Sequence, residues 1–171
     1  MNNTEIIDYV KQHPSGKVKL AICDIDGVLR GKYISKEKFL SVCEDSLGYC
    51  NVVFGWDMAD VSYDNSAYTG WHSGYPDAKV KLDLSTFRKI PWENDVPFFL
   101  GEFIDECSLE ICPRQVLKKI ETQAKNAGFT PLVSQEFEWF NFAETPETAS
   151  NKNYKDGYRS ICEGFINEIT Y

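Results

Sequence analysis

The stretch KVKLAICDIDGVLRGKYI, residues 17–34, decides the fold class. Val18, Leu20 and Ile22 alternate with Lys17, Lys19 and Ala21, the period-2 pattern of a strand with one face toward water. An Asp26-Gly27 turn follows, and Val28, Leu29 and Tyr33 resume the apolar pattern, so the segment reads as a β-hairpin. Upstream, TEIIDYVKQ (4–12) places Ile6, Ile7 and Val10 at helical spacing and is closed by Pro-Ser-Gly, which predicts a short helix. Downstream, SKEKFLSVCEDSLG (35–48) has Ser35 at a cap position. Phe39, Leu40, Cys43 and Leu47 form one stripe and Gly48 is a stop, so a helix of about three turns is expected.

Beyond it, NVVFGW (51–56) reads as a short strand. Asp57–Asp77 is a long loop rich in Gly, Ser and Asn that carries Tyr63, Tyr68, Trp71 and Tyr75. Loops of that length in compact domains are functional or disordered, and the aromatics argue against disorder. KVKLDL (79–84) and VPFFLGEFID (96–105) are further strands. Pro113 opens a helix with Val116, Leu117, Ile120 and Ala124 on one face and Gly128 as its end. That helix feeds a strand, TPLVSQEFEWFNF (130–142), then a polar run and an amphipathic stretch that aligns Ile161, Phe165 and Ile169. The fold class is therefore α+β, with a change near residue 105 from strands and one helix to a helix feeding a strand.

With 171 residues and 43% apolar content, the chain suits one ordinary domain or two small ones with a packed core. Its net charge of −8 lacks the basic footprint that phosphate-backbone or anionic-membrane binding requires, so neither nucleic acid nor a membrane is an expected partner. No run of 18 apolar residues is present and the first ten residues are acidic and amphipathic, so a cytoplasmic location is expected. Six cysteines without a Cys-x-x-Cys pair, together with two histidines away from zinc-like spacing, read as reduced, core-filling thiols.

Two carboxylate pairs deserve weighing. VKLAICDIDGVL resembles the first motif of the haloacid-dehalogenase phosphatases, with Asp24 as nucleophile and Asp26 as acid/base. The Lys17/Lys19 alternation instead fits a half-exposed antiparallel strand, where that family needs a central parallel one. The other pair, Glu136 and Glu138, lies two apart on the predicted strand, on one face with roughly 6.5–7 Å between anchor points. Phe140 and Phe142 continue that face while Val133, Phe137 and Trp139 fill the other. Both faces read as buried, and two buried carboxylates need a cation; oxygen donors suit Mg²⁺ or Mn²⁺.

In this setting several segments, in one order, resemble the glutamine synthetase family of ATP-dependent carboxylate–amine ligases. DGVLRGK is similar to its N-terminal hairpin, YDNSAYTGW (63–71) to its active-site loop, and GYPDAKVKLD and STFRKIPW to the segments after that loop. CPRQVLKKI, Gly128 and EFEWF resemble the helix and metal-binding strand that open its catalytic domain. The resemblance spans about residues 18–142. After the N-terminal helix (1–16) read from its spacing, it implies a β-grasp domain (17–105) and the first helix and strand of a glutamine synthetase-type catalytic domain (106–171), an N-terminal portion only. It also implies a reaction in which ATP phosphorylates the glutamate γ-carboxylate and ammonia or another amine displaces the phosphate. By the same resemblance Asp64 binds and deprotonates ammonium, Trp71 lines the neighbouring subunit's active site, and Glu138 and Glu136 bind Mg²⁺ or Mn²⁺. A homo-oligomeric ring follows from a loop that acts across a subunit boundary. The family's nucleotide-binding residues match nothing in this sequence, so the 171 residues alone are expected to be inactive. The loop reads Asp-Asn-Ser-Ala where the family usually has Asp-Gly-Ser-Ser, which leaves ammonia and larger amines both open. A non-catalytic β-grasp interaction module is the alternative.

Overall fold

The computed structural model describes residues 1–136 and 145–151. The chain divides into two compact units, Met1–Thr130 and Pro131–Tyr171.

The first unit is α+β. Helix α1 (Asn3–Gln12) begins with a capping box, in which the Asn2 side chain accepts from the Glu5 N–H and the Glu5 carboxylate accepts from the Asn2 N–H. Strands β1 (Lys17–Cys23) and β2 (Leu29–Ser35) pair antiparallel through the expected Asp-Gly turn, whose Gly27 takes a φ of 82°. Ser35 caps helix α2 (Lys36–Val42) by accepting the Lys38 N–H. Strands β3 (Leu47–Cys50), β4 (Asp77–Ile90) and β5 (Val96–Phe103) complete one five-stranded sheet in the order β2-β1-β5-β4-β3. Every pairing is antiparallel except β1 with β5.

The core forms where the helices' apolar stripes meet the sheet. Ile6 and Val10 from α1 and Phe39 and Val42 from α2 are buried in one cluster with Val18, Leu20, Ile22, Val80, Leu82, Phe99 and Phe103. Phe39 stacks on Phe99 with ring centroids 4.9 Å apart. Burial of such side chains supplies the main drive for folding.

The structure departs from the sequence expectations in several places. Helix α2 ends at Val42, short of Gly48, because Leu47–Cys50 leaves to pair with Asp77–Val80. Gly48 then serves that pairing, since a Cβ there would sit 2.8 Å from Asp77 Oδ2. Asn51–Phe54 is a 3₁₀ turn instead of a strand. KVKLDL and the following STFRKI form one 14-residue strand, with a register shift between Asp83 and Arg88. At that bulge the Thr86 hydroxyl donates to the Asp83 carbonyl (2.6 Å) and accepts the Leu100 N–H (2.9 Å), which replaces the lost ladder bonds. The alternation in β1 foretells its antiparallel partner but not its parallel one.

Helix α3 (Pro113–Asn126) starts at the expected proline and ends before Gly128, whose φ is 84°. Its apolar stripe is not buried, however: Val116, Leu117 and Ile120 are all exposed. The helix is held to the sheet by its charged side chains instead. Arg114 Nη2 lies 2.8 Å from Asp83 Oδ2, and Lys118 Nζ lies 3.2 Å from the same oxygen and 2.6 Å from Glu102 Oε2. Gln115 adds a bond to the Phe103 carbonyl (2.9 Å).

Burial raises the Asp83 carboxyl, but hydrogen bonds from Ser85 and Lys118 outweigh it and hold the group below the usual carboxylate range. Burial lowers the Lys118 ammonium, and its bonds to Glu102 and Asp83 outweigh that and raise it. A depressed acid stabilises the fold above its unfolded value and loses that contribution as pH falls through the folded one; a raised base does so below its unfolded value and loses it as pH rises through the folded one. The attachment of α3 is therefore expected to be flat between about pH 5 and pH 10 and to weaken outside that window. Lys118→Met should abolish the alkaline limb, as read from amide exchange in residues 113–126 against pH.

In the second unit, Pro131–Glu136 is neither strand nor helix, and Val133, expected in a buried face, is exposed. The rest of the predicted metal strand from Phe137, and the amphipathic stretch near the C-terminus, lie outside the described residues. A short helix α4 (Pro146–Asn151) forms within the polar run. Cys23, Cys43, Cys50, Cys107 and Cys112 are free; Cys43 and Cys112 are buried as expected, whereas Cys107 is exposed. Cys162 lies outside the described residues.

Candidate functional site

The segment between the 3₁₀ turn and β4, residues 55–76, is the long loop foreseen in the sequence, and it is built at three levels. Its root is tied to the β1–β2 hairpin. Asp24 is fully buried, and its Oδ1 accepts the N–H groups of Asp26 (2.9 Å) and Val28 (2.8 Å). Its Oδ2 accepts from Arg30 Nε at 2.6 Å. Arg30 then reaches the loop, where Nη2 donates to the Asp57 carbonyl (2.9 Å) and Nη1 pairs with Asp60. Its guanidinium lies 5.0 Å from the Trp56 ring. Asp57 closes an Asx turn on the N–H groups of Ala59 and Val61.

The loop's middle is sunk into the unit. Thr69 is fully buried, and its hydroxyl donates to Asn51 Oδ1 at 2.6 Å. Thr69 packs so closely that a Cβ on Gly55 would meet its methyl at 2.6 Å, which explains a glycine there. The Tyr68 ring lies edge-on to Phe54, with centroids 5.9 Å apart.

The functional candidates occupy the exposed level. Asp64 is exposed, and its carboxylate has no hydrogen-bond or ion-pair partner among the described residues. Trp71 is 89% exposed and meets the Tyr75 ring edge-on at 5.5 Å. Gly74 and Tyr75 adopt positive φ (69° and 49°) just before β4 begins at Asp77. A large apolar ring and an unpaired carboxylate held out by a buried base suit contact with another molecule.

Asp64 and Trp71 thus share one anchored loop. Glu136 is exposed in the second unit, and Glu138 lies outside the described residues. Their donor type suits a hard divalent cation, yet the described residues assemble no group of three His, Cys, Asp or Glu that would hold one. Asp24 lacks the exposure a nucleophile needs and both its oxygens are engaged, so the dehalogenase-like motif is a turn. Arg30 was missed as a site residue. The signal lay in DIDGVLR (24–30), where the aspartate that opens the turn, once buried, needs a cation nearby.

No family model matches the chain. It is 48% identical over 153 residues to a type-1 glutamine synthetase of Dictyostelium discoideum, an alignment covering 88% of this chain and 29% of that protein. It is 33% identical over 160 residues to a glutamate–isopropylamine ligase of a Pseudomonas species, covering 92% of this chain and 34% of that one. Among solved structures, a Plasmodium falciparum glutamine synthetase matches with a TM-score of 0.52 at 19% identity, over 75% of this chain and 23% of the other; that likeness concerns the fold alone. The chain spans about a third of the length of the curated relatives it matches.

Proposed function

The chain belongs to the glutamine synthetase family, and from that premise we propose that it is the N-terminal portion of a ligase that joins ammonia or another amine to glutamate at the expense of ATP. The anchored loop that presents Asp64 and Trp71 carries this reading, with the relatives' names as its second support.

In the proposed reaction a γ-carboxylate oxygen of glutamate attacks the terminal phosphorus of ATP, the bond to ADP breaks, and an acyl phosphate forms. The amine nitrogen then attacks the acyl carbon, a C–N bond forms and phosphate leaves. An amine is protonated at neutral pH and must shed a proton before it attacks. Asp64 supplies a carboxylate that attracts the ammonium and takes that proton, a task that strengthens once a neighbouring subunit covers the loop and excludes water. Trp71 fills part of that subunit's amine site, which makes the assembly a homo-oligomeric ring. Glu136 and Glu138 would hold Mg²⁺ or Mn²⁺, which neutralises charge on the transferred phosphoryl group.

Residues 17–105 form a β-grasp domain and 106–171 the opening of the catalytic domain. The nucleotide site needs residues outside this sequence, so the 171 residues alone do not catalyse, and the whole protein works in the cytoplasm.

The test is amide formation by a protein extended to the relatives' length, supplied with glutamate, ATP, Mn²⁺ and, in turn, ammonia, ethylamine, isopropylamine, ethanolamine and a polyamine. A γ-glutamyl amide from at least one of them is expected. None from any, with the fold intact, contradicts the reading and leaves an interaction module. Titration with Mn²⁺ tests the metal assignment: Glu138→Ala is expected to weaken the cation's apparent affinity at least tenfold, on the order of losing one charged ligand, and unchanged affinity removes Glu138 from the site.

A further inference from the structure

Tyr68 lies between Asp64 and Trp71, and its hydroxyl leaves the loop altogether. It meets the Ser108 hydroxyl at 2.7 Å, 40 residues away in the segment that leads into α3. Ser108 is fully buried and lies 2.8 Å and 2.7 Å from the two carboxylate oxygens of Asp105. The direction of the chain follows from proton counting. A carboxylate only accepts, and a serine hydroxyl carries one proton, so Ser108 donates to Asp105 and its lone pair accepts the Tyr68 O–H. Asp105 Oδ1 also accepts the Ser108 N–H (3.1 Å), which fixes the carboxylate against the turn. The run ends on an ionised group and is therefore stronger than a pair of neutral bonds.

We propose that Tyr68, Ser108 and Asp105 form a positioning strap that sets the height and angle of the loop presenting Asp64 and Trp71, and thereby governs amine binding. The second part rests on the function proposed above. The first rests on geometry alone. Tyr68 is held at two points, its ring on Phe54 and its hydroxyl on Ser108, while the adjacent Thr69 is bonded to Asn51. Removing the hydroxyl leaves the ring seated and frees one of these points. The strap joins the loop to the residues just before α3.

The test has two arms. In the 171-residue chain, Tyr68→Phe and Asp105→Ala are expected to speed amide exchange in residues 63–76 about fivefold, the effect of one net hydrogen bond, with no change in β1 or β5. Asp105→Asn keeps an acceptor for Ser108 but not its charge, and is expected to fall between wild type and Asp105→Ala. Unchanged loop exchange in Tyr68→Phe overturns the strap whatever the enzyme does. In the extended protein, Tyr68→Phe is expected to raise KM for the amine about fivefold and leave KM for ATP unmoved, whereas simple loss of stability would shift neither selectively. Faster exchange with an unmoved amine KM upholds the strap and overturns its role in amine binding, while the amine role of Asp64 stands or falls on Asp64→Asn alone.

Discussion

Asp64→Asn is expected to lower amide formation by about 10²- to 10⁴-fold, the range for loss of a positioned general base. The substitution keeps the size and turn-forming capacity of the side chain and removes only its charge and basicity. Asp64 is exposed and has no partner among the described residues, so the fold should not register the change, with stability within about 0.5 kcal/mol of wild type. That separation makes the prediction sharp. The amine step should fail while glutamate-dependent consumption of ATP persists at a slow, hydrolytic rate, because acyl phosphate formation does not need Asp64. Comparison of phosphate release with amide formation in the same reaction measures both. Equal amide yields from variant and wild type would remove Asp64 from the chemistry.

The largest expected effect on stability is that of Phe99→Ala, at about 3–5 kcal/mol. Phe99 is fully buried on β5, the strand that pairs with both β1 and β4, and its ring stacks on Phe39 of α2 and lies 5.5 Å from Phe87 of β4. Truncation opens a cavity between α2 and the centre of the sheet. Domains of this kind hold about 5–15 kcal/mol in all, so the variant should lose a large part of its urea midpoint with little change in slope. A midpoint shift under about 1 kcal/mol would show that the core is centred elsewhere.

What the sequence disclosed follows the range of the forces involved. Period-2 alternation, the Asp-Gly turn, the Ser35 cap, Pro113 and Gly128 are local signals, and the hairpin, the helix starts and the end of α3 that they mark formed where expected. The parallel pairing of β1 with β5 is a contact across nearly 80 residues and leaves no local trace. Likewise Leu47–Cys50 extends an apolar stripe that suits α2, and only the arrival of Asp77–Val80 turns it into β3. The apolar stripe on α3 reads as core because periodicity reports amphipathicity without naming the partner; here charged side chains hold the helix and the stripe faces outward. The loop that carries Asp64 and Trp71 was legible because motif and composition coincide there. Tyr68 and Ser108 were not, since their contact spans 40 residues, and of Arg30 only the local bond to Asp24 has a trace in the sequence, not its reach of 27 residues to Asp57.

The proposed function stands on formation of an activated glutamyl group, and hydroxylamine reports it most directly. Incubated with glutamate, ATP and Mn²⁺, a protein of the relatives' length should convert hydroxylamine to γ-glutamyl hydroxamate, with one ADP released for each hydroxamate formed. Release of phosphate without hydroxamate, or hydroxamate formed equally well without ATP, would contradict it.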